Sequence, residues 1–356
     1  MKIKSDMNEF LFDRSILQFI GGGLKKNLFR GKSLIWMIRH LNFQYQAFKV
    51  RKSFSLEGYH VPPMLIVSLT RLCNLHCKGC YSRALRPEAK GEMDSNKLIS
   101  VLEEAKQLGI SIALLAGGEP MMRFKDLITI SESFPRILFP VFTNGLLIQK
   151  THIKEFCNHS NLIPILSLEG KDSTTDHRRG HGVANRIDLV QANMNKSHIF
   201  YGISVTVDRH NVDAILQESF ITTQIQKGVR IFFMIEFVPV EPGSEDKVLT
   251  QEQRDKLAAT LKQFEKKYPT LFVSLPGEEE KFGGCLAAGR GFLHVNPEGK
   301  VEACPFAPFS DTSLQEVSLK EALKSKLMES IRDQHHLLTE TSGGCALWNQ
   351  QEKFFG

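Results

Sequence analysis

Three cysteines fall within eight residues, Cys73-Asn-Leu-His-Cys77-Lys-Gly-Cys80. On one short loop, the spacing C-x3-C-x2-C lets three thiolates converge on one face of a cubane iron–sulfur cluster and leaves its fourth iron without a protein ligand. An iron with an open position binds a small molecule, so the spacing points to chemistry more than to passive electron storage. The competing reading uses His76 as well, with Cys73, His76, Cys77 and Cys80 as a structural zinc knuckle. Zinc sites are usually assembled from two separated ligand pairs, and four ligands this close would crowd a tetrahedron. A knuckle also gives no reason for the motifs that follow. Seven cysteines in 356 residues, with no secretion signal, argue for metal or redox use in a reducing compartment.

The elements that must position this loop read as alternating strands and helices. Short β-rich runs at 64–69, 111–115, 139–142, 163–168, 202–207 and 230–238 alternate with helical patterns at 96–108, 125–133, 154–158, 186–195 and 212–227. That alternation is the signature of βαβ units and a parallel sheet. In barrels of such units, functional groups gather on loops leaving the C-terminal ends of the strands. The cysteine loop follows the first run and Gly117-Gly118-Glu119-Pro120 the second. Thr143-Asn144-Gly145 follows the third, and the fourth is followed by Ser167-Leu-Glu169-Gly170 and Asp176-His-Arg178-Arg179. Two consecutive glycines let a backbone approach a ligand closely, and Glu119 offers a carboxylate to a cation. Pro239 and Pro242-Gly243 then end the barrel strands, before a helix over 251–267.

Over roughly residues 64–240, the pairing of the C-x3-C-x2-C loop with the Gly-Gly-Glu-Pro motif resembles the radical S-adenosylmethionine (SAM) superfamily. The resemblance implies an α/β fold, a partial (β/α)6 TIM-type barrel, and a [4Fe-4S] cluster on Cys73, Cys77 and Cys80. Its open iron is chelated by the amine and carboxylate of S-adenosylmethionine. It further implies that Gly117, Gly118, Glu119 and Pro120 hold the methionine amino group, with Asn144 near the nucleotide. Ser167 and Arg179, twelve residues apart, would contact the ribose and the methionine carboxylate, with Arg178 as the fallback. Family loops often carry an aromatic residue before the third cysteine, beside the adenine. Here that position is Gly79, and Tyr81 is the substitute candidate. The implied activity is that of an oxidoreductase which cleaves S-adenosylmethionine to a 5′-deoxyadenosyl radical for hydrogen abstraction, supplied by a reductant such as flavodoxin or ferredoxin.

Cys285, Cys304 and Cys345 come late in the chain. Residues 291–295 and 300–303 read as a hairpin through Asn296-Pro-Glu-Gly299, and a helix is expected over 319–331. Gly299 to Cys304 is a G-x4-C. This arrangement resembles the twitch or SPASM auxiliary-cluster module and implies a second [4Fe-4S] cluster. Family members often end with C-x2-C, whereas Cys345-Ala-Leu-Trp348 lacks the fourth cysteine. The second cluster would then have an open iron or a ligand of another type. Three buried cysteines without metal are the plain alternative, and Cys157 reads as a core residue. The expected division is a helical extension at 1–60, the barrel at 61–268 and a cluster-binding module of β-hairpin and helix at 269–356.

The net charge of +6 is concentrated at one end. Residues 14–52 hold nine Lys/Arg and no Asp or Glu. Two helices are expected over 7–52, separated by Gly21–Gly23 and Gly31. In the second, Leu34, Ile38, Leu41, Tyr45 and Phe48 recur on one face. Such a basic amphipathic element suits an anionic membrane surface or an acidic partner, or it packs on the domain behind with its basic side solvated. No second basic surface exists by composition, so nucleic-acid binding is not expected. No run approaches the roughly eighteen apolar residues of a spanning helix. A cytoplasmic location, peripheral at the inner membrane face at most, is the expectation. The alternative to catalysis is a metal-binding scaffold or an iron–sulfur electron carrier.

Overall fold

The computed structural model describes residues 16–18, 20–26, 32–85, 91–276, 279–338 and 345–355. Its frame is one curled, largely parallel sheet in the order β7-β6-β5-β4-β3-β2-β1-β8-β9. The strands are β1 (Met64–Ser68), β2 (Ile112–Ala116), β3 (Phe139–Thr143), β4 (Leu162–Ser167), β5 (Gly202–Val207), β6 (Ile231–Glu236), β7 (Leu271–Leu275), β8 (Phe292–Val295) and β9 (Val301–Glu302). The parallel sheet is the one expected from the alternation, and its curl gives the partial barrel that the resemblance implies. Each of the first six strands lies within a residue or two of its expected run. The seventh parallel strand departs from the sequence reading, in which Pro239 and Pro242-Gly243 end the series. The chain instead crosses helix Gln251–Lys267 and returns as β7 beside β6.

The strands are nearly continuous apolar runs because both faces are covered. Alternate residues divide into two cores. Leu65, Val67, Leu115, Phe139, Val141, Ile203, Val205 and Phe232 face the outer helices. Ile112, Leu138, Ile163, Ile165, Ile231, Phe233 and Leu271 face the lumen. Besides helical segments before residue 26 and at Tyr81–Leu85 and Gln351–Phe355, the helices are α1 (Lys32–Leu56), α2 (Ser95–Gln107), α3 (Phe124–Ser133), α4 (Lys150–Asn158), α5 (Asp172–Arg179), α6 (Val183–Lys196), α7 (Val212–Ile215), α8 (Glu218–Gln226), α9 (Gln251–Lys267), α10 (Leu319–Ala322), α11 (Lys326–Asp333) and α12 (Ala346–Asn349). Asp94 caps α2 by accepting from Lys97 N–H at 2.7 Å, and Thr250 with Gln253 forms a capping box on α9. The helices expected over 212–227 and 319–331 are each broken in two. In the second, Ser325 accepts from Met328 N–H and starts a new helix where one continuous helix had been expected.

Glu236 faces outward, not into the lumen. It is buried and pairs with Arg254 of α9 at 2.8 Å. Burial raises its pKa, against the opposing pull of Arg254.

The N-terminal region departs most from expectation. Residues 16–18 and 20–25 are helical, so Gly21–Gly23 lie inside a helix instead of breaking it. Gly31 and residues 7–15 are outside the described residues. On α1 the buried positions are Met37, His40, Gln44, Ala47 and Arg51. The expected face is turned away: Leu34, Ile38 and Tyr45 are exposed, and Leu41 and Phe48 are half-buried. The reason is what lies beneath. The base of the barrel presents loop carbonyls, which require donors when buried. Trp36 Nε1 donates to Pro135 O at 2.8 Å, His40 Nδ1 lies 2.9 Å from Arg136 O, and Arg51 donates to Gly109 O. Gln44 Nε2 lies 2.8 Å from His40 Nε2, and its Oε1 accepts from Ser111 Oγ at 2.6 Å. Burial lowers the His40 pKa to about 4, so it plugs the base as a neutral ring. Among the described residues no helix is long and apolar enough to cross a membrane.

Removing one partner of a buried ion pair strands the other charge. Arg254→Met is therefore expected to cost about 3–5 kcal/mol of unfolding free energy, measured by urea denaturation. A change below about 1 kcal/mol would show that the pair is not a structural tie.

Candidate functional site

The segment after β1 turns sharply so that Cys73, Cys77 and Cys80, all half-buried, sit above the C-terminal end of the sheet. Its backbone is held by the loop after β2. Gly118 N–H donates to Thr70 O at 2.6 Å and Glu119 N–H donates to Leu72 O at 2.8 Å. A Cβ on Gly118 would lie 2.2 Å from Leu72 O, and one on Gly117, whose φ is +125°, would lie 2.5 Å from Thr70 O. The two glycines thus admit the cysteine loop's own backbone. This is a closer neighbour than the ligand approach read from sequence. Arg123 Nη1 adds bonds to Leu69 O and Met93 O, each 2.8 Å. Glu92 accepts from Thr70 Oγ1 at 3.0 Å and from Arg71 N–H at 2.8 Å.

Glu119 is buried. Its Oε1 accepts from Thr143 Oγ1 at 2.6 Å and Met121 N–H at 3.0 Å, and its Oε2 accepts from Asn144 N–H at 2.8 Å. Burial raises its pKa, with Thr143, Asn144 and Met121 opposing. A carboxylate has about four lone-pair sites, so one on Oε2 remains for a further donor. Pro120 opens the 3₁₀ turn that follows. Asn144 Nδ2 donates to Asn74 Oδ1 at 2.8 Å and lies 3.9 Å from Cys73 Sγ, which places the loop after β3 against the first cysteine.

The loop after β4 closes the other side. Lys78 N–H donates to Arg178 O at 2.9 Å and Arg178 Nη2 donates to Gly79 O at 3.3 Å. Arg178 and Arg179 both face Glu169, a buried carboxylate that also accepts from Thr206 N–H at 3.0 Å. Arg179 Nε is buried without a hydrogen-bond partner among the described residues. Burial pushes the Cys77 thiol up while Arg179 and Arg178 pull it down. Burial also raises Cys73, opposed by a bond from Leu75 N–H. A tri-thiolate is favoured by such cations. Ser167 Oγ lies 3.2 Å from Ser204 Oγ at the mouth of the lumen.

Tyr81 packs its ring on Phe306, centroids 4.6 Å apart, so it meets the C-terminal segment. The space beside Gly79 is taken by Phe237, whose Cε2 would lie 3.1 Å from a Cβ there. Phe237 follows β6 and is an aromatic neighbour of the cysteine loop that sequence reasoning missed. Nothing local marked it, since it lies more than 150 residues beyond Cys80.

The late cysteines also come together. Cys285, Cys304 and Cys345 are buried. Burial raises the Cys285 thiol well above its usual range, and Glu279, Cys345 and Cys304 each raise it further by charge. Glu279, buried as well, was not singled out from sequence. Arg290 binds the carbonyls of Phe282, Gly284 and Cys285. The expected hairpin forms as β8 and β9, with Val295 opposite Val301. β8 also runs parallel to β1, so the barrel's sheet continues into this segment. Gly343 and Gly344 lie outside the described residues. Cys157 is half-buried on α4, its Sγ 3.8 Å from Ser197 O, not in the core. Among the described residues no three His, Cys, Asp or Glu side chains are gathered tightly enough for a single metal ion. A zinc knuckle on Cys73, His76, Cys77 and Cys80 would need such a tight set, whereas a cubane holds its thiolates further apart.

Residues 67–215 match the family model described as Radical SAM superfamily. The AdoMet-dependent heme synthase of Methanosarcina barkeri is 22% identical over 306 residues, covering 78% of this chain and 87% of that protein. The sporulation killing factor maturation protein SkfB of Bacillus subtilis is 27% identical over 168 residues, 46% of this chain and 40% of that one. The mycofactocin maturase MftC of Mycolicibacterium smegmatis is 26% identical over 266 residues, 70% of this chain and 66% of that one. Among solved structures, Streptococcus suis SuiB bound to S-adenosylmethionine superposes with a TM-score of 0.67 at 17% identity, covering 90% and 79% of the two chains. At such identity the likeness speaks for the fold.

Gly118→Ala is expected to force the cysteine loop off its seat and to destabilise the protein by about 1–3 kcal/mol, the usual range for overpacking. Gly22→Ala, inside a helix and with nothing within 4 Å of its Cβ, should leave stability unchanged or raise it by up to about 1 kcal/mol. Equal thermal melting of the two variants would contradict the packing described.

Proposed function

We propose that the chain is a radical SAM enzyme whose early cysteines form its active centre, in keeping with the match of residues 67–215 to the model of that superfamily. The observation that carries this reading is the half-buried trio at the end of β1 facing the Arg178–Arg179 pair. When bound, a [4Fe-4S] cluster supplies the electron that splits S-adenosylmethionine into methionine and a 5′-deoxyadenosyl radical able to take hydrogen from a C–H bond. Cys73, Cys77 and Cys80 hold the cluster. Arg179, through the Nε that lacks a partner among the described residues, binds the methionine carboxylate, and the remaining lone pair of Glu119 accepts from the ammonium. Gly117, Gly118 and Pro120 fix Glu119 in place, and Asn144 steadies the loop at Cys73. Ser167 addresses the ribose, and Phe237 joins Tyr81 as an aromatic candidate for the adenine. Cys285, Cys304 and Cys345 hold an auxiliary cluster in the segment that shares the barrel's sheet. The electron donor is a small redox protein such as flavodoxin or ferredoxin. The names of the relatives span tetrapyrrole synthesis and peptide maturation, and they do not select one substrate class.

Anaerobically reconstituted protein should hold about eight irons per chain if both sites carry cubanes. With dithionite and S-adenosylmethionine it should release 5′-deoxyadenosine. Cys73→Ala should lose that product and about half the iron, and Cys304→Ala should lose iron while keeping some nucleoside. Arg179→Met should raise the KM for S-adenosylmethionine at least tenfold with the iron retained. Iron retained with no nucleoside from the intact protein would leave an electron carrier instead.

The outward face of α1 gives a second proposal. Ile35 and Ile38 are each 56% exposed, beside Leu34 and Tyr45, and Arg39, Lys49 and Lys52 are exposed on the same helix. Apolar and basic side chains so mixed suit an anionic membrane surface. Co-sedimentation with phosphatidylglycerol vesicles should be salt-sensitive, and the double variant Ile35→Asp/Ile38→Asp should weaken it several-fold. Binding unaffected by both would discard the contact.

A further inference from the structure

Among the described residues, the side chains of the lumen do not fill it. A cavity of about 270 Å³ lies inside the half-barrel, walled by Met64, Ile112, Leu138, Ile165, Phe233 and Leu271 and floored by Ile20 and Met37. These side chains belong to the lumen core, separate from the core between sheet and outer helices. The polar residues on its wall are Lys262, Glu265, Ser274 and Glu279. All four lie on one side, on α9, β7 and the turn after β7. Lys262 and Glu265 are exposed, so this side is the mouth. Beside it, Lys26 Nζ donates to Glu265 O and Thr270 O, each at 2.7 Å, and ties the N-terminal helical segment to the barrel.

We propose that this cavity binds the aliphatic chain of an amphiphile, with the polar end left at the Lys262–Glu265 mouth. Apolar cavities of roughly 150 Å³ stay dry and take up benzene-sized guests, so a larger one of the same lining does not hold ordered water well. Its volume lies just below the roughly 300–1,000 Å³ of sites that enclose whole drug-sized molecules. It therefore suits a chain whose head remains outside better than a macrocycle or a folded peptide. The apolar far wall offers no donor or acceptor to a polar group, and burying one there without a partner would be unfavourable. Chain binding stands on the cavity alone and does not depend on the radical reading above.

The test is calorimetric titration of anaerobically reconstituted full-length protein with straight-chain alkanoates and, separately, lysophosphatidylcholines, each below its micellar concentration. The dissociation constant should tighten about fourfold per added methylene and then level off once the cavity is full. Ile165→Trp should bring the plateau at a shorter chain, and Phe233→Ala, which removes the ring stacked edge-on to Phe142 at 5.0 Å, at a longer one. Circular dichroism checks that each variant folds. Binding of alkanoates assigns a free acid, and binding of the lysolipid alone assigns a membrane lipid. No chain-length dependence in the wild type, or a plateau that neither folded variant moves, overturns the proposal. Nucleoside release is read in a separate assay, so failure of the chain site and failure of the radical reading are told apart.

Discussion

Two backbone hydrogen bonds, from Gly118 to Thr70 and from Glu119 to Leu72, govern the rest of the site. They join the loops after β1 and β2 at a separation that only glycine permits on one side. The same few residues then reach outward in both directions. Glu119 seizes the loop after β3 through Thr143 and Asn144, and the cysteine loop is met by the end of α5 through Lys78 and Gly79. Three thiols at fixed spacing become a directed array because four loops are locked to one another. A single side-chain contact could not do this, since a loop carrying three ligands needs its backbone fixed at several points.

The two faces of each strand explain why the barrel can be rigid and still hold a site. Outward residues pack against helices into a continuous core. Inward residues change character along the strand: Met64 and Ile66 give way to Ser68 on β1, and Ile163 and Ile165 to Ser167 on β4. The polar end lies under the cysteine loop and the apolar end over the base. Stability thus comes mainly from the outer core, which leaves the lumen free to be incompletely filled. The helix that shuts the base brings polar side chains inward, because loop carbonyls at the strand starts need donors more than they need apolar cover.

That inversion marks where the sequence was legible and where it was not. The strands could be read because a buried parallel strand is a short apolar run with little competing pattern. The cysteine loop and Gly-Gly-Glu-Pro could be read because both are local in sequence. The face of α1 could not, since the spacing of Leu34, Ile38, Leu41 and Tyr45 obeys the helical period as well as Met37, His40, Gln44 and Ala47 do. Only the partner surface decides between them. β7 was hidden by prolines that end one excursion of the chain without ending the sheet. Phe237 and Glu279 were invisible for a related reason: each matters through a neighbour far away in sequence, Gly79 in one case and Cys285 in the other.

The seam between β1 and β8 carries the last step. Ser68 Oγ lies 2.8 Å from His294 Nε2, and His294 Nδ1 lies 2.8 Å from Glu302 Oε2. Asn296 donates to the same carboxylate at 2.8 Å, and Ser68, His294, Asn296 and Glu302 are all buried. Ser68 stands five residues before Cys73, and Glu302 two before Cys304. Around this buried chain, Arg71 pairs with Glu298, Met93 N–H donates to Pro297 O at 2.7 Å, and Tyr81 rests on Phe306. A buried polar network tolerates little displacement, because each broken member leaves another without a partner in a low-dielectric interior. The two cysteine trios are therefore parts of one mechanical unit. Moving the hairpin that bears Cys304 would disturb the strand that bears the first loop, and the spacing between the trios is set by the sheet itself.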